Sequence, residues 1–186
     1  MNAHNILMSI LYSLIACAFL PVLGRVIDLF VQYVIGGIIT LFTRDYNKFV
    51  IFYNYLTFPG VIYHELSHAA LAVITGAKVE HISLFRPHDG RLGEVEFRAR
   101  GTAIMMAVQY ALIACAPVIT GMIGLYYFAT YMITSHPSIP VTILLGYLML
   151  CIFMHMTMSN EDLGLYAKGI WLFFILFFIG SMMMRT

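Results

Sequence analysis

Long apolar runs separated by short polar gaps decide most of what this chain can fold into. Where no water is at hand, every backbone N–H and C=O must find its partner within the protein, so runs of this length resolve into helices that cross or line a bilayer. Hydrophobic residues make up 61% of the 186 residues and charged residues only 10%, which leaves no stretch for a soluble domain. The runs predict spans near 5–23, 27–43, 49–75, 102–131, 139–157 and 163–184. The expected fold is an all-α integral membrane protein of about six transmembrane helices with a short membrane-surface β-hairpin. It forms a single membrane domain over 1–186, with an N-terminal helical hairpin over 1–47, a core over 48–170 and a C-terminal helix over 163–186. The second span is the shortest. Asp28 and Thr43 bracket about 14 to 17 residues including Gly36-Gly37, which suits a re-entrant or tilted segment.

Positive charge sets the expected orientation. Lys78, Arg86, Arg91, Arg98 and Arg100 put half of all Lys and Arg into segment 77–101, whereas 132–138 has none, so loop 77–101 is predicted to be cytoplasmic. Counting six spans outward places Arg25 and Lys168 on that side, leaves Arg44, Lys48 and Arg185 outside, and puts both termini outside. The chain is therefore expected to be a multi-pass protein of a prokaryotic cell membrane, in contact with the lipid bilayer. A net charge of +1 gives no reason to expect a nucleic-acid partner. Cys17, Cys115 and Cys151 stand alone in separate apolar segments, as core or lipid-facing residues do. Leu14-Ile15-Ala16-Cys17 has the look of a lipoprotein processing site, but no Lys or Arg precedes it, and an uncleaved first span is expected.

Inside the third span lies His64-Glu65-Leu66-Ser67-His68. Positions i and i+4 of a helix share one face about 6 Å apart, so both imidazoles can reach one zinc ion. Glu65 then stands beside the metal, placed to take a proton from water whose pKa the metal has lowered. The structural alternative is a satisfied polar cluster. Three ionisable groups within five residues at membrane depth, however, are costly to keep without a function. Phe58-Pro59-Gly60 should bend the span upstream, and Gly76 is placed as its C-cap.

A tetrahedral site needs a third protein ligand. Glu161 and Asp162 both adjoin the last span. Asp162 is favoured because it directly precedes the apolar run from Leu163, where Ser159 and Asn160 can cap a helix. His155 is the other rival. Between the third and fourth spans the period switches to two: Glu94-Val95-Glu96-Phe97-Arg98 alternates, Ile82 and Leu84 share a side, and Arg86-Pro87-His88-Asp89-Gly90 reads as the turn. This is a β-hairpin within 77–101. Its strand through Val95 and Phe97 could bind an extended substrate by strand addition, with Asn160 as a substrate-orienting donor. The alternative is a solvated loop.

His64-Glu65-Leu66-Ser67-His68-Ala69-Ala70, followed by Thr75-Gly76-Ala77-Lys78-Val79 and Ile82-Ser83-Leu84, resembles the site-2 protease group of intramembrane zinc metalloproteases. The resemblance covers roughly residues 55–170 and includes Ala116-Pro117 and Gly121 in the following span. It implies a metalloprotease core over 48–170, Zn²⁺ held by His64, His68 and Asp162, Glu65 as catalytic base, and a membrane-protein or membrane-peptide substrate. The family's later helix carries Asn, then Pro, then Asp-Gly. Asn160-Glu161-Asp162-Leu163 has neither that proline nor that glycine, so the chain reads as a compact, divergent member. A CAAX-type membrane protease, which takes a glutamate as third ligand, is the alternative enzyme. A metal-binding scaffold or transporter is the alternative outside enzymes. Glu65 argues against an inert scaffold, and a transporter should carry polar residues along several spans.

Overall fold

The computed structural model describes residues 3–44, 53–84 and 93–184. The predicted turn at Arg86–Gly90 and the charges of Asp45, Lys48, Arg91 and Arg185 lie outside the described residues. Among these residues the fold is helical apart from one two-stranded sheet: α1 (Ala3–Leu29), a π-helical segment (Phe30–Ile35), α2 (Gly36–Thr43), α3 (Phe58–Ile74), β1 (Lys78–Ser83), β2 (Glu94–Arg98), α4 (Ala103–Ala114), α5 (Ala116–Ser135), α6 (Ile139–His155) and α7 (Asn160–Met183). Among the described residues three helical stretches are long and apolar enough to cross a membrane, His4–Phe42, Ala116–Ser135 and Asn160–Met183. Large apolar side chains such as Leu41, Phe42, Ile74 and Ile139 stay exposed, a surface suited to lipid.

Two departures from the six-span expectation have local causes. The N-terminal helical hairpin predicted over 1–47 is absent from the described residues; α1, the π-helical segment and α2 run on as one rod of about 58 Å at 1.5 Å per residue. The pattern predicts a turn near Gly24 and Arg25, where polar residues interrupt the run. Instead the Arg25 guanidinium donates to Asp28 Oδ2 at 2.8 Å and the Gln32 amide to Asp28 Oδ1 at 2.8 Å, so the polar groups satisfy one another along the helix face at i, i+3 and i+4. Gly24 marks a crossing, because a Cβ there would lie 3.0 Å from Met158 Cγ. In the second departure the fourth span breaks at Cys115, with Pro117 in the first turn of α5.

The motif helix starts and stops cleanly. Thr57 leaves helical geometry at φ −109°, ψ 21°, between helical residues 53–56 and α3, and Pro59 sits in the first turn of α3, so the expected bend coincides with the start of the motif helix. At the other end Gly76 takes φ 83°, Ala77 N–H donates to Ala72 O at 2.8 Å and Gly76 N–H to Val73 O at 3.1 Å, the paired bonds of a Schellman ending. The chain then enters β1, which pairs antiparallel with β2, Lys78 opposite Arg98 and Ile82 opposite Val95, with an irregularity between Val79 and His81. The hairpin is anchored by Val79 and Phe97, which pack on Ala72, Ala77 and Ile113. The larger core lies between α1, α5 and the end of α6, around Ile27, Val118, Met154 and Met158. All three cysteines are buried.

Candidate metal centre

Each motif histidine is aimed by a carbonyl that a helix has left without its usual partner. Pro117 has no N–H to return to the carbonyl four residues earlier, and that carbonyl, Ile113 O, accepts from His68 Nδ1 at 2.7 Å. His155 closes α6, so its carbonyl is also an orphan, and it accepts from His64 Nδ1 at 2.7 Å. These bonds assign the proton of each ring to Nδ1 and leave a lone pair on each Nε2. The two Nε2 atoms face one another at 3.1 Å. Asp162 Oδ1 completes the group 3.5 Å from His68 Nε2, and ligand atoms of the three residues all lie within 4.8 Å of one another.

Two lone pairs so close repel each other, and a cation between them turns the repulsion into binding. Tetrahedral ligands at the usual zinc–nitrogen length of about 2.0–2.1 Å stand about 3.3 Å apart, close to the spacing found here. The donor set of two neutral imidazoles and a carboxylate, with His68 and Asp162 buried, therefore fits a metal ion.

Asp162 does two jobs with its two oxygens. Its Oδ2 accepts from the backbone N–H and the hydroxyl of Ser159, both at 2.8 Å, while Ser159 Oγ accepts from Asp162 N–H at 3.0 Å. This capping box starts α7 and fixes the carboxylate with Oδ1 toward the histidines. Ser159 is thus the cap and Asn160 the first helical residue, exposed at the edge of the site. Glu161, also exposed, lines the same cavity but stands outside the ligand cluster. His155 is not placed as a ligand either. Thr57 Oγ1 gives its proton to Tyr53 O at 2.6 Å, so the 2.8 Å contact with His155 Nε2 is a bond donated by the ring.

A cavity of about 660 Å³ opens onto these groups. Glu65 lies half-buried in its wall, beside the ligands, and β2 forms another part of the wall through Val95 and Phe97, with Gly93 just ahead of it. Close backbone crossings hold the walls together. A Cβ at Gly60 would overlap Cys151 O, and one at Gly169 would overlap Ala107 O. The first crossing brings α6 and its terminal carbonyl to His64, and the second seats α7 on α4.

Several residues that build the site carry no motif in the sequence. Gln109 is fully buried and spends its whole amide: Nε2 donates to Thr75 O and Arg100 O, both at 3.1 Å, and Oε1 accepts from Arg100 N–H at 2.8 Å. It ties the end of the motif helix to the exit of the hairpin. The available signal is an amide within an apolar helix, which requires partners. On the far side of α3, Tyr63 donates to Thr120 O at 2.6 Å, and the hydroxyls of Ser67 and Thr120 lie 2.6 Å apart, locking the motif helix to α5. Comparison with protein-family models, with curated proteins and with solved structures finds no match for this chain.

Proposed function

We propose that this chain is a membrane-embedded zinc endopeptidase that hydrolyses a peptide bond in or near a transmembrane segment of another membrane protein. The observation that carries this reading is the convergence of two Nε2 lone pairs and a carboxylate oxygen beside Glu65, in a cavity bordered by a β-strand. His64, His68 and Asp162 would hold the zinc, which when bound would supply Lewis-acid chemistry, polarising a carbonyl and bringing the pKa of water near 7. Glu65 would take one proton from the attacking water and deliver it to the amide nitrogen as the C–N bond breaks, and the water's second proton would follow to the amine, leaving a carboxylate and an ammonium group. The carbonyls of Ile113 and His155 hold both imidazoles in the required tautomer throughout. A CAAX-type reading with a glutamate ligand draws no support from Glu161, which lies outside the cluster.

Five Lys and Arg in 77–101 favour a cytoplasmic hairpin. Counting the N-terminal rod as one passage puts the N-terminus on the hairpin's side, and α7, which runs antiparallel to α1 with Ser181 Oγ 3.1 Å from Ser9 Oγ, ends on that same side, in place of two outside termini. α7 then begins at the depth of the motif histidines, which agrees with Asn160 and Asp162 sharing a cavity with β2.

The test is metal content together with cleavage of β-casein, an unstructured probe, in detergent. Wild-type protein should hold about one zinc per chain, and the double variant His64→Ala/His68→Ala should hold less than about a tenth of that and cleave nothing. Stoichiometric zinc in the double variant, or unchanged cleavage, would end this reading. Strand addition makes a separate prediction. Val95→Pro removes a strand donor and should lower cleavage about tenfold with zinc unchanged, whereas normal turnover would reduce the hairpin to a wall.

A further inference from the structure

Gly93 packs directly on Glu65. A Cβ built at Gly93 would overlap Glu65 Cγ and lie 2.9 Å from both Cδ and Oε1. Every one of its three nearest neighbours belongs to that one side chain. Among the described glycines only Gly76 and Gly101 have positive φ, so the backbone at 93 is one that any residue can adopt. Glycine is required here by the carboxylate arm below it.

From this contact we infer that Gly93 is a positioning residue for Glu65, and that the hairpin sets the general base through it. The inference rests on the proteolytic reading of the same site. Gly93 directly precedes β2, whose register on β1 is fixed from Glu94 opposite Ser83 to Arg98 opposite Lys78. The hairpin is held in turn by Phe97 against Ala72 and Ile113, and by Gln109 at Arg100. The strand proposed to receive the substrate therefore also limits where the base can stand. A segment that pairs with β2 and shifts it also shifts the limit on Glu65, so engagement of the strand and readiness of the base are coupled through one van der Waals contact. Because the obstructing atoms belong to a flexible side chain, an added methyl moves Glu65 while the backbone stays in place.

The experiment combines structure, metal content and a double-mutant cycle on β-casein cleavage. In a crystal structure of Gly93→Ala, the Glu65 carboxylate should be displaced by about 1 Å or more, the distance that separates the overlap from ordinary contact. Zinc should stay at the wild-type level, since Glu65 is not one of the three ligands. Cleavage should fall about 100-fold in kcat with little change in KM. Combined with Glu65→Gln, Gly93→Ala should cost nothing further, because the base through which it acts is already gone. An unmoved Glu65, a wild-type rate, or losses that multiply in the double variant would each overturn the inference while leaving Glu65→Gln inactive and the proteolytic reading intact. Full cleavage by Glu65→Gln alone would instead overturn the proteolytic reading, and the positioning role with it.

Discussion

Glu65→Gln should purify folded, with about one zinc per chain, and cleave β-casein about a thousandfold more slowly than wild type. The substitution keeps the shape of the side chain and withdraws only its ability to accept a proton. Because the group that could hold the metal consists of His64, His68 and Asp162, this substitution removes no candidate ligand. Wild-type turnover by this variant would rule out Glu65 as base. Loss of zinc would give the carboxylate a ligand role that the geometry does not assign.

Asp162 should show the other large effect, and its two oxygens allow its two roles to be separated. Asp162→Ala removes both the ligand oxygen and the capping box, so zinc affinity should drop about a hundredfold or more, cleavage should vanish, and the helix start should lose about 1 kcal/mol. Asp162→Asn keeps an acceptor for the Ser159 N–H but loses the anionic oxygen. It should therefore match Asp162→Ala in zinc loss while retaining near wild-type thermal stability. Glu161→Ala, at an exposed position outside the cluster, should change zinc content little. Equal zinc retention in Asp162→Ala and wild type, with loss in Glu161→Ala, would move the ligand by one residue and revive the CAAX-type alternative.

Short-range features were legible in the sequence because their causes are short-range. The i, i+4 pair of His64 and His68, the end of α3 at Gly76, the hairpin strands through Ile82 and Val95, and Ser159 as a cap for α7 all follow from spacing and backbone preference within a few residues. Apolar periodicity likewise located most helices. It misjudged the junctions, since Gly24 and Arg25 look like a turn until Asp28 and Gln32 satisfy the charge on one helix face and Met158 fills the space against the glycine.

By itself, then, the sequence determined that the chain is helical and apolar, that one helix carries two histidines on one face, and that a hairpin follows. Only the tertiary structure decided which carboxylate meets them, that Pro117 frees Ile113 O for His68, that the end of α6 supplies His155 O to His64, and that Gly93 rests on Glu65. The physical reason is range. His64 and His155 stand 91 residues apart, His68 and Ile113 45, and whether such groups meet depends on how closely helices cross at Gly60 and Gly169, a property of packed surfaces that no local pattern encodes.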